Sequence, residues 1–195
     1  MSDHESLRSH DEKKKRRMKW AAYIAAFAVF QVIVILVFVM VVMKVRTPKF
    51  RIGDGVVVQS LTTGDASSSP SFNMSFSAPI RIKNNNFGPY KYDATLVNFT
   101  YGGIQVGQAT IPKSTANFMG TKKLDVTVSV SSAPLTDTSG LSRELNSGIL
   151  TLSSQARMNG KSEIMLIFKK KKATNMNCTM EFEVQAKKIK SVECK

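Results

Sequence analysis

Hydrophobic residues form two contrasting patterns along this chain. Residues 20–43 form an apolar run of 24 residues whose one strongly polar member is Gln31, whereas apolar and polar residues alternate over much of residues 44–195. As a helix, the run would be about 36 Å long at ~1.5 Å per residue, which exceeds the ~30 Å of a bilayer's hydrocarbon core. We therefore predict one membrane-spanning helix at residues 20–43.

A cleaved secretory signal is the alternative for this run. Such signals combine a short charged lead, roughly 7 to 15 apolar residues and a small-residue cleavage site. Here 19 residues precede a longer run, which ends Val41-Val42-Met43-Lys44 without an A-x-A pattern. The sequence favours a retained signal anchor.

Basic residues near the run predict its orientation, because Lys and Arg resist translocation. Seven of them precede the run and four come closely after it. We expect residues 1–19 to be a cytosolic basic tail and residues 44–195 to lie outside the cell, or in the lumen of the endomembrane system. The predicted location is the plasma membrane, spanned once. Anionic lipid would contact the densest basic cluster, which consists of Lys13, Lys14, Lys15, Arg16 and Arg17.

Two features of the predicted outer part fit this orientation. Glycosylation sequons begin at Asn73, Asn98 and Asn177. Both cysteines, Cys178 and Cys194, also lie there, and an even count suits one disulfide in an oxidising compartment. A hairpin turning near residues 186–188 would bring the two cysteines together, and the bond would contribute roughly 3 kcal/mol. Two unrelated thiols are the alternative.

Alternation with a period of two predicts strands that bury one face. It is clearest at residues 72–82, 124–130 and 178–184, and Ile164, Leu166 and Phe168 continue the pattern. Further strands are predicted at residues 56–61, 96–101, 104–110 and 149–156, with turns at Gly102-Gly103 and Asn159-Gly160.

These strands indicate a mainly β fold with two packed antiparallel sheets in a single domain. Residues 44–70 would supply a juxtamembrane strand and a serine-rich loop, and residues 71–195 the rest of the sandwich. A short helix is expected at residues 141–148, capped by Thr138 or Ser139 and ended by Gly148.

The formal net charge of +14 bears on partners. Nucleic acid is a common partner of basic domains, but the predicted location removes it from reach. An anionic cell-wall polysaccharide, lipid headgroups or another membrane protein are the expected partners, unless the charge only keeps the domain soluble. Both histidines, His4 and His10, precede the apolar run, so we expect no enzyme, no metal site and no cofactor.

The stretch IRIKNNNF at residues 80–87, with YKYDATLVNFTYGGIQVGQATIP at residues 90–112, resembles the signature of the second subgroup of late embryogenesis abundant proteins. This group includes the plant harpin-induced-like (NHL) membrane proteins. Asn85 stands where the family's pattern has proline, and the matching residues are Asn84, Asn86, Phe87, Tyr92, Tyr101 and Gly103. Residues 45–52, residues 141–152 and the late cysteine pair also resemble the family.

The resemblance implies a fibronectin III-like or Ig-like β-sandwich on the non-cytosolic side of a plant membrane, with roles in defence and drought stress and with no catalytic residues. We therefore hypothesise a non-enzymatic, membrane-anchored interaction protein of the stress or defence response. A desiccation-protective domain and a protein with a lipid-binding groove between the sheets are the alternatives.

Overall fold

The computed structural model describes residues 3–42, 44–164 and 168–195, and for residues 3–14, 42 and 168 it describes the backbone alone. The chain divides into two compact units, Met1–Lys44 and Val45–Lys195. The first is helical and the second is mainly β. Met43 and Leu166, which belong to predicted elements, lie outside the described residues.

The helix α1 spans Asp3–Val42 and is longer than predicted. Its first part is rich in Lys, Arg and Glu, which are good helix formers, and has neither glycine nor proline to end the helix. Within it, the 27 residues Lys15–Val41 are long and apolar enough to cross a membrane. Their side chains are exposed, so no protein core accounts for the apolar run in this structure.

The second unit contains eleven strands and one short helix along its described residues. They are β1 (Lys49–Ile52), β2 (Val57–Thr63), β3 (Phe72–Lys83), β4 (Tyr90–Tyr92), β5 (Thr95–Tyr101), β6 (Ile104–Ile111), β7 (Ser114–Ala116), β8 (Thr121–Ser131), α2 (Ser139–Ser147), β9 (Ile149–Ile164), β10 (Phe168–Glu183) and β11 (Lys188–Cys194).

All these strands pair antiparallel within one sheet of order β1-β3-β8-β6-β5-β9-β10-β11. β2 pairs with β3, and β4 pairs with both β7 and β9. The two halves meet where Gly107 on β6 pairs with Val130 on β8. The sheet is nearly barrel-like, because the Thr174 hydroxyl on β10 donates to the Pro48 carbonyl just before β1, at 2.8 Å. The mainly β, antiparallel fold is confirmed, while the fibronectin III or Ig type of sandwich stays a prediction.

The core lies inside this curved sheet and joins its two halves. Phe76 on β3 is fully buried, and its ring centroid lies 5.6 Å from that of Phe99 on β5 and 5.3 Å from that of Phe182 on β10. Burial alternates along β3 as the sequence pattern predicts. The interior methionines, such as Met158 and Met180, are buried in the same core.

Two predictions around the β9–β10 hairpin are wrong. Asn159-Gly160 is not a turn but part of β9, where a glycine is needed because a Cβ at position 160 would lie 2.6 Å from both the Tyr90 ring and the Lys91 carbonyl oxygen. Ile164 and Phe168 do not share a strand either. They are paired across β9 and β10, so the chain reverses between them.

The remaining elements agree with the pattern more closely. α2 ends at Ser147, and the predicted stop residue Gly148 follows it with a φ of 77°, the left-handed conformation typical of a residue after a helix. Neither predicted side chain caps its start; the Ser139 N–H instead donates to the Asp137 carboxylate at 2.9 Å. The C-terminal hairpin turns at residues 184–187, close to the predicted position.

Candidate interaction site

The loop after β3 is built around the buried amide of Asn84. Its Nδ2 lies 2.7 Å from the Gly88 carbonyl oxygen, 3.1 Å from that of Ala116 and 3.0 Å from that of Asn117. Its Oδ1 accepts from the backbone N–H of Asn86 at 3.0 Å. A buried amide is stable only when its donors and acceptors are satisfied, and here they are.

Asn86 extends this network to the start of the domain. Its Oδ1 accepts from the Arg46 N–H at 2.6 Å, and its Nδ2 donates to the Arg46 carbonyl oxygen at 2.8 Å. The side chain therefore pairs with the backbone of Arg46 much as a neighbouring strand would. Asn85, at the family's proline position, is half-buried. The asparagine loop, residues 84–88, thus holds the first residues of the domain in place.

The two tyrosines of β4 are structural. Tyr90 and Tyr92 are buried with ring centroids 6.2 Å apart and an interplanar angle of 27°. The Tyr90 hydroxyl donates to the Lys172 carbonyl oxygen at 2.9 Å. Burial raises the pKa of Tyr90 to about 12, and the negative charge of Asp93 adds to this shift. This hydroxyl therefore stays protonated at physiological pH.

The other motif residues form a hairpin away from the asparagine loop. Tyr101 ends β5 and contacts Phe72, with ring centroids 6.2 Å apart. Gly102 and Gly103 come next with φ of 56° and 86°, the positive values that a two-residue hairpin turn requires. The six predicted motif residues thus occupy three places, and they position strands without lining a common pocket.

The predicted cysteine pair is bonded in the structure. Cys178 on β10 and Cys194 on β11 are direct cross-strand partners, with Cα atoms 4.0 Å apart. The bond ties the last strand of the sheet order, β11, to its neighbour β10, and the alternative of two unrelated thiols does not hold.

The three sequon asparagines are exposed on the outer surface of the sheet. Asn73 lies on β3, Asn98 on β5 and Asn177 on β10. Asn98 and Asn177 both pair with Gln155 on the strand between them, so their Cα atoms are about 10 Å apart at the usual strand spacing. Each side chain is accessible to modification.

Five basic residues form a cationic face on β1, β3 and β8. Lys49 pairs with Lys83, Arg51 pairs with Arg81, and Arg81 also pairs with Lys123. They line a cleft of about 260 Å³. Asp54 lies 3.5 Å from Arg81, and no carboxylate in the described ranges forms an ion pair with the other four residues. Like charges directly opposite each other destabilise a sheet, so an anion bound here would relieve repulsion.

A second cleft, of about 530 Å³, is lined by four lysines and two carboxylates. The lysines are Lys91, Lys113, Lys161 and Lys169, and the carboxylates are Asp93 and Glu163. The Lys91 Nζ lies 2.9 Å from the Glu163 carboxylate, and this hydrogen bond lowers the pKa of Glu163 below its usual value. The carboxylate is therefore engaged as an ion-pair partner.

Other carboxylates are also paired with lysines. Glu181 contacts Lys190 at 3.1 Å and Glu183 contacts Lys188 at 3.2 Å, both across the β10–β11 hairpin. In the part of the chain that the structure describes, no three His, Cys, Asp or Glu side chains come together as a metal site. The predicted lipid-contact residues Lys13, Lys14, Lys15, Arg16 and Arg17 lie in α1, and the last three are exposed.

The cationic face is not predicted from the sequence, although a signal is present. Lys49 and Arg51 are two residues apart, as are Arg81 and Lys83, which is the spacing of neighbours on one face of a strand. The pairing of β1 with β3 brings the two sets together, and spacing alone does not reveal this pairing.

The fold and these surfaces define an antiparallel β-domain protein with a long apolar helix, a buried asparagine network and exposed cationic faces. The chain belongs to the late embryogenesis abundant protein family LEA_2, whose model matches residues 79–180.

One sequence relative agrees with this family. Over 142 residues the chain is 29% identical to "Late embryogenesis abundant protein At1g64065" of Arabidopsis thaliana, covering 71% of this chain. The chain spans 65% of that protein's length.

Two solved structures are similar at low identity. "AT1g01470" from Arabidopsis thaliana has a TM-score of 0.40 at 11% identity, over 71% of this chain and 83% of its own. A protein from Archaeoglobus fulgidus has a TM-score of 0.34 at 11% identity, over 65% of this chain and 94% of its own. Both TM-scores are below 0.5, so the fold described above rests on the strands of this chain.

The asparagine network leads to a stability prediction. Asn86→Ala removes both bonds to Arg46 and one to Asn84, so we expect a loss of about 2 kcal/mol and a melting temperature lower by about 6 °C. Asn85→Ala is the matched control and should change stability by less than about 0.5 kcal/mol. Thermal unfolding of the full chain in detergent measures both. Equal effects of the two substitutions would contradict the assigned role of Asn86.

Proposed function

We propose that this chain is a single-pass membrane protein of the harpin-induced-like group within its family. Its N-terminus is cytosolic, and its β domain, a sandwich of the fibronectin III or Ig type, faces the cell exterior or a lumen. The observation that carries the proposal is the order of the parts along the chain. An exposed apolar stretch at Lys15–Val41 comes first, and a disulfide-bonded domain with three exposed sequon asparagines follows it. The basic residues at positions 13–17 support the orientation.

The domain acts without catalysis, as an interaction module of the plant stress or defence response. Its carboxylates at the β10–β11 hairpin are engaged with lysines, and its buried tyrosine Tyr90 is structural. The exposed chemistry is instead cationic, and repulsion between Lys49 and Lys83 and between Arg51 and Arg81 favours an anionic partner. An acidic cell-wall polysaccharide presents carboxylates along a chain and matches such a face. An acidic surface of another membrane protein is the other candidate partner.

Family membership favours a second candidate function, protection of membranes or proteins during drying. It requires no specific ligand. The test is the activity that an enzyme recovers after drying in the presence of this chain. If the chain is protective, that recovery should exceed the recovery given by an unrelated basic protein of similar charge. The third candidate function, a lipid-binding groove between the sheets, would need interior methionines and phenylalanines free to contact lipid. Core contacts such as those of Phe76 with Phe99 and Phe182 account for such residues without a ligand.

The proposed topology predicts glycosylation and protease sensitivity on the outer side. When the full chain is expressed in plant cells, glycosidase should increase its mobility, and Asn73→Gln, Asn98→Gln and Asn177→Gln should each remove part of that shift. Protease added to intact cells should remove the domain and spare an N-terminal tag. If the protease instead digested the tag and spared the domain, the orientation would be the opposite of the proposed one.

The proposed polyanion binding predicts a salt-sensitive interaction at the cationic face. The full chain in detergent should bind polygalacturonate at low salt, and its affinity should fall as the salt concentration rises, because salt screens the charges. Replacing Lys49, Lys83 and Lys123 by glutamine should weaken binding about tenfold, at about 0.5 kcal/mol for each lost contact.

The matched control removes three basic residues outside the cationic face, Arg143, Lys187 and Lys195, each replaced by glutamine. It lowers net charge equally and should retain most of the binding. Equal weakening by both triple variants would indicate non-specific charge attraction, and absence of binding at low salt would contradict the tethering role.

A further inference from the structure

Three exposed apolar side chains form one tip at an end of the β domain. Phe87 is 37% exposed, Phe118 is 57% exposed and Met119 is 49% exposed. The rings of Phe87 and Phe118 are in edge contact, with centroids 5.7 Å apart. We refer to Phe87, Phe118 and Met119 as the apolar tip. Single exposed apolar residues are ordinary, but a contiguous group marks an interaction site.

The backbone of the tip is held in an uncommon conformation. Phe118 and Met119 are the central residues of a turn closed by the Gly120 N–H, which donates to the Asn117 carbonyl oxygen at 3.0 Å. Met119 has a φ of 47°, a conformation usually occupied by glycine or asparagine at this place in a turn. An apolar residue therefore occupies a strained and exposed position, which is typical of functional sites.

The tip is attached to the asparagine loop that holds the start of the domain. The Asn84 N–H donates to the Gly120 carbonyl oxygen at 2.8 Å, and the Met119 N–H donates to the Asn86 carbonyl oxygen at 3.3 Å. Asn86 in turn pairs with the backbone of Arg46. The tip and the entry point of the chain are thus parts of one hydrogen-bonded structure.

Chain length then restricts where the tip can be. Arg46 is three residues after Met43, the last residue of the apolar run, and three extended residues reach about 10 Å. If the run spans a bilayer, the asparagine loop must lie within that reach of the membrane surface. This follows from connectivity alone and holds for any orientation of the helix relative to the domain.

The charge around the tip matches a lipid surface. Arg46 and Lys122 flank the asparagine loop and the turn, and both are exposed. The β9–β10 hairpin reaches the same end, because the Glu163 N–H donates to the Pro89 carbonyl oxygen at 2.9 Å, and it carries the exposed residues 169–171, all lysines. Basic side chains beside aromatic rings are the usual composition of segments at the headgroup level of a membrane.

The opposite end of the domain carries charges of both signs. Tyr101 lies there, against Phe72 at the start of β3, and the charged groups near it are Glu144, Asp137 and Arg143. β3 runs from Phe72 to Lys83, about 35 Å at the usual rise, which separates this end from the tip. The exposed basic residues beside the tip would attract an anionic surface to that end of the domain.

We propose that the apolar tip inserts into the headgroup and acyl boundary of the bilayer that the apolar run spans, and so fixes the β domain against the membrane. This rests on the proposed membrane anchor. The occupant is the lipid surface itself, with Phe118 and Met119 in the acyl boundary and the surrounding basic residues at the phosphates.

Tryptophan fluorescence of the full chain in lipid vesicles tests the proposal. The chain has one tryptophan, Trp20, at the start of the apolar run, so the natural protein reports on the anchor. A Trp20→Phe/Phe118→Trp variant reports on the tip, and a Trp20→Phe/Ile104→Trp variant is the control. Ile104 is 38% exposed and pairs with Tyr101 at the opposite end. The vesicles contain phosphatidylcholine, a minor anionic lipid and lipid brominated near the headgroup.

We expect the Phe118→Trp variant to show blue-shifted emission and quenching as strong as that of Trp20, while the Ile104→Trp variant stays red-shifted and unquenched. Quenching of Trp20 without quenching of the Phe118→Trp variant would overturn the proposal and leave the anchor intact. Absence of Trp20 quenching would contradict the anchor and, with it, the docked tip. Both substitutions change exposed side chains, and matching melting curves would verify that the fold is retained.

Discussion

The pairing of the Asn86 side chain with the backbone of Arg46 is the interaction on which the organisation of the domain depends. It joins residues 40 positions apart through two hydrogen bonds. It fixes the chain just before β1, the strand whose pairing with β3 places Lys49 opposite Lys83. Asn84 supports it by binding the carbonyl oxygens of the neighbouring loop. A buried amide network of this kind specifies one geometry, since any shift leaves polar groups unpaired.

The interior and the exterior of the sheet have separate tasks. The interior supplies stability through aromatic contacts such as Phe76 with Phe182, and the Cys178–Cys194 bond ties the last strand to it. The outer face can therefore tolerate like charges opposite each other, a local cost that the core offsets. In the proposed function this outer charge faces anionic partners, and the apolar tip faces lipid.

Much of the fold could be predicted because a strand with one buried face leaves a period of two in the sequence, as along β3 and β8. The three-residue strands β4 and β7 are too short to show a period. The turn predicted at Asn159-Gly160 is wrong because Gly160 makes room for the Tyr90 ring, and such a tertiary contact leaves no local pattern in the sequence. The resemblance located Asn84 and Asn86, but their partner could not be inferred, since Arg46 offers only backbone atoms and these are common to every residue.

Hydrogen exchange at the Arg46 amide tests the central claim most directly, because in the described structure its one hydrogen-bond acceptor is the Asn86 side chain. We predict that this amide is protected in the natural chain. Asn86→Ala should bring its exchange close to the rate of an unstructured peptide, while amides paired between β9 and β10 remain protected. An Arg46 amide that exchanges freely in the natural chain, or that stays protected in the variant, would contradict the role assigned to Asn86.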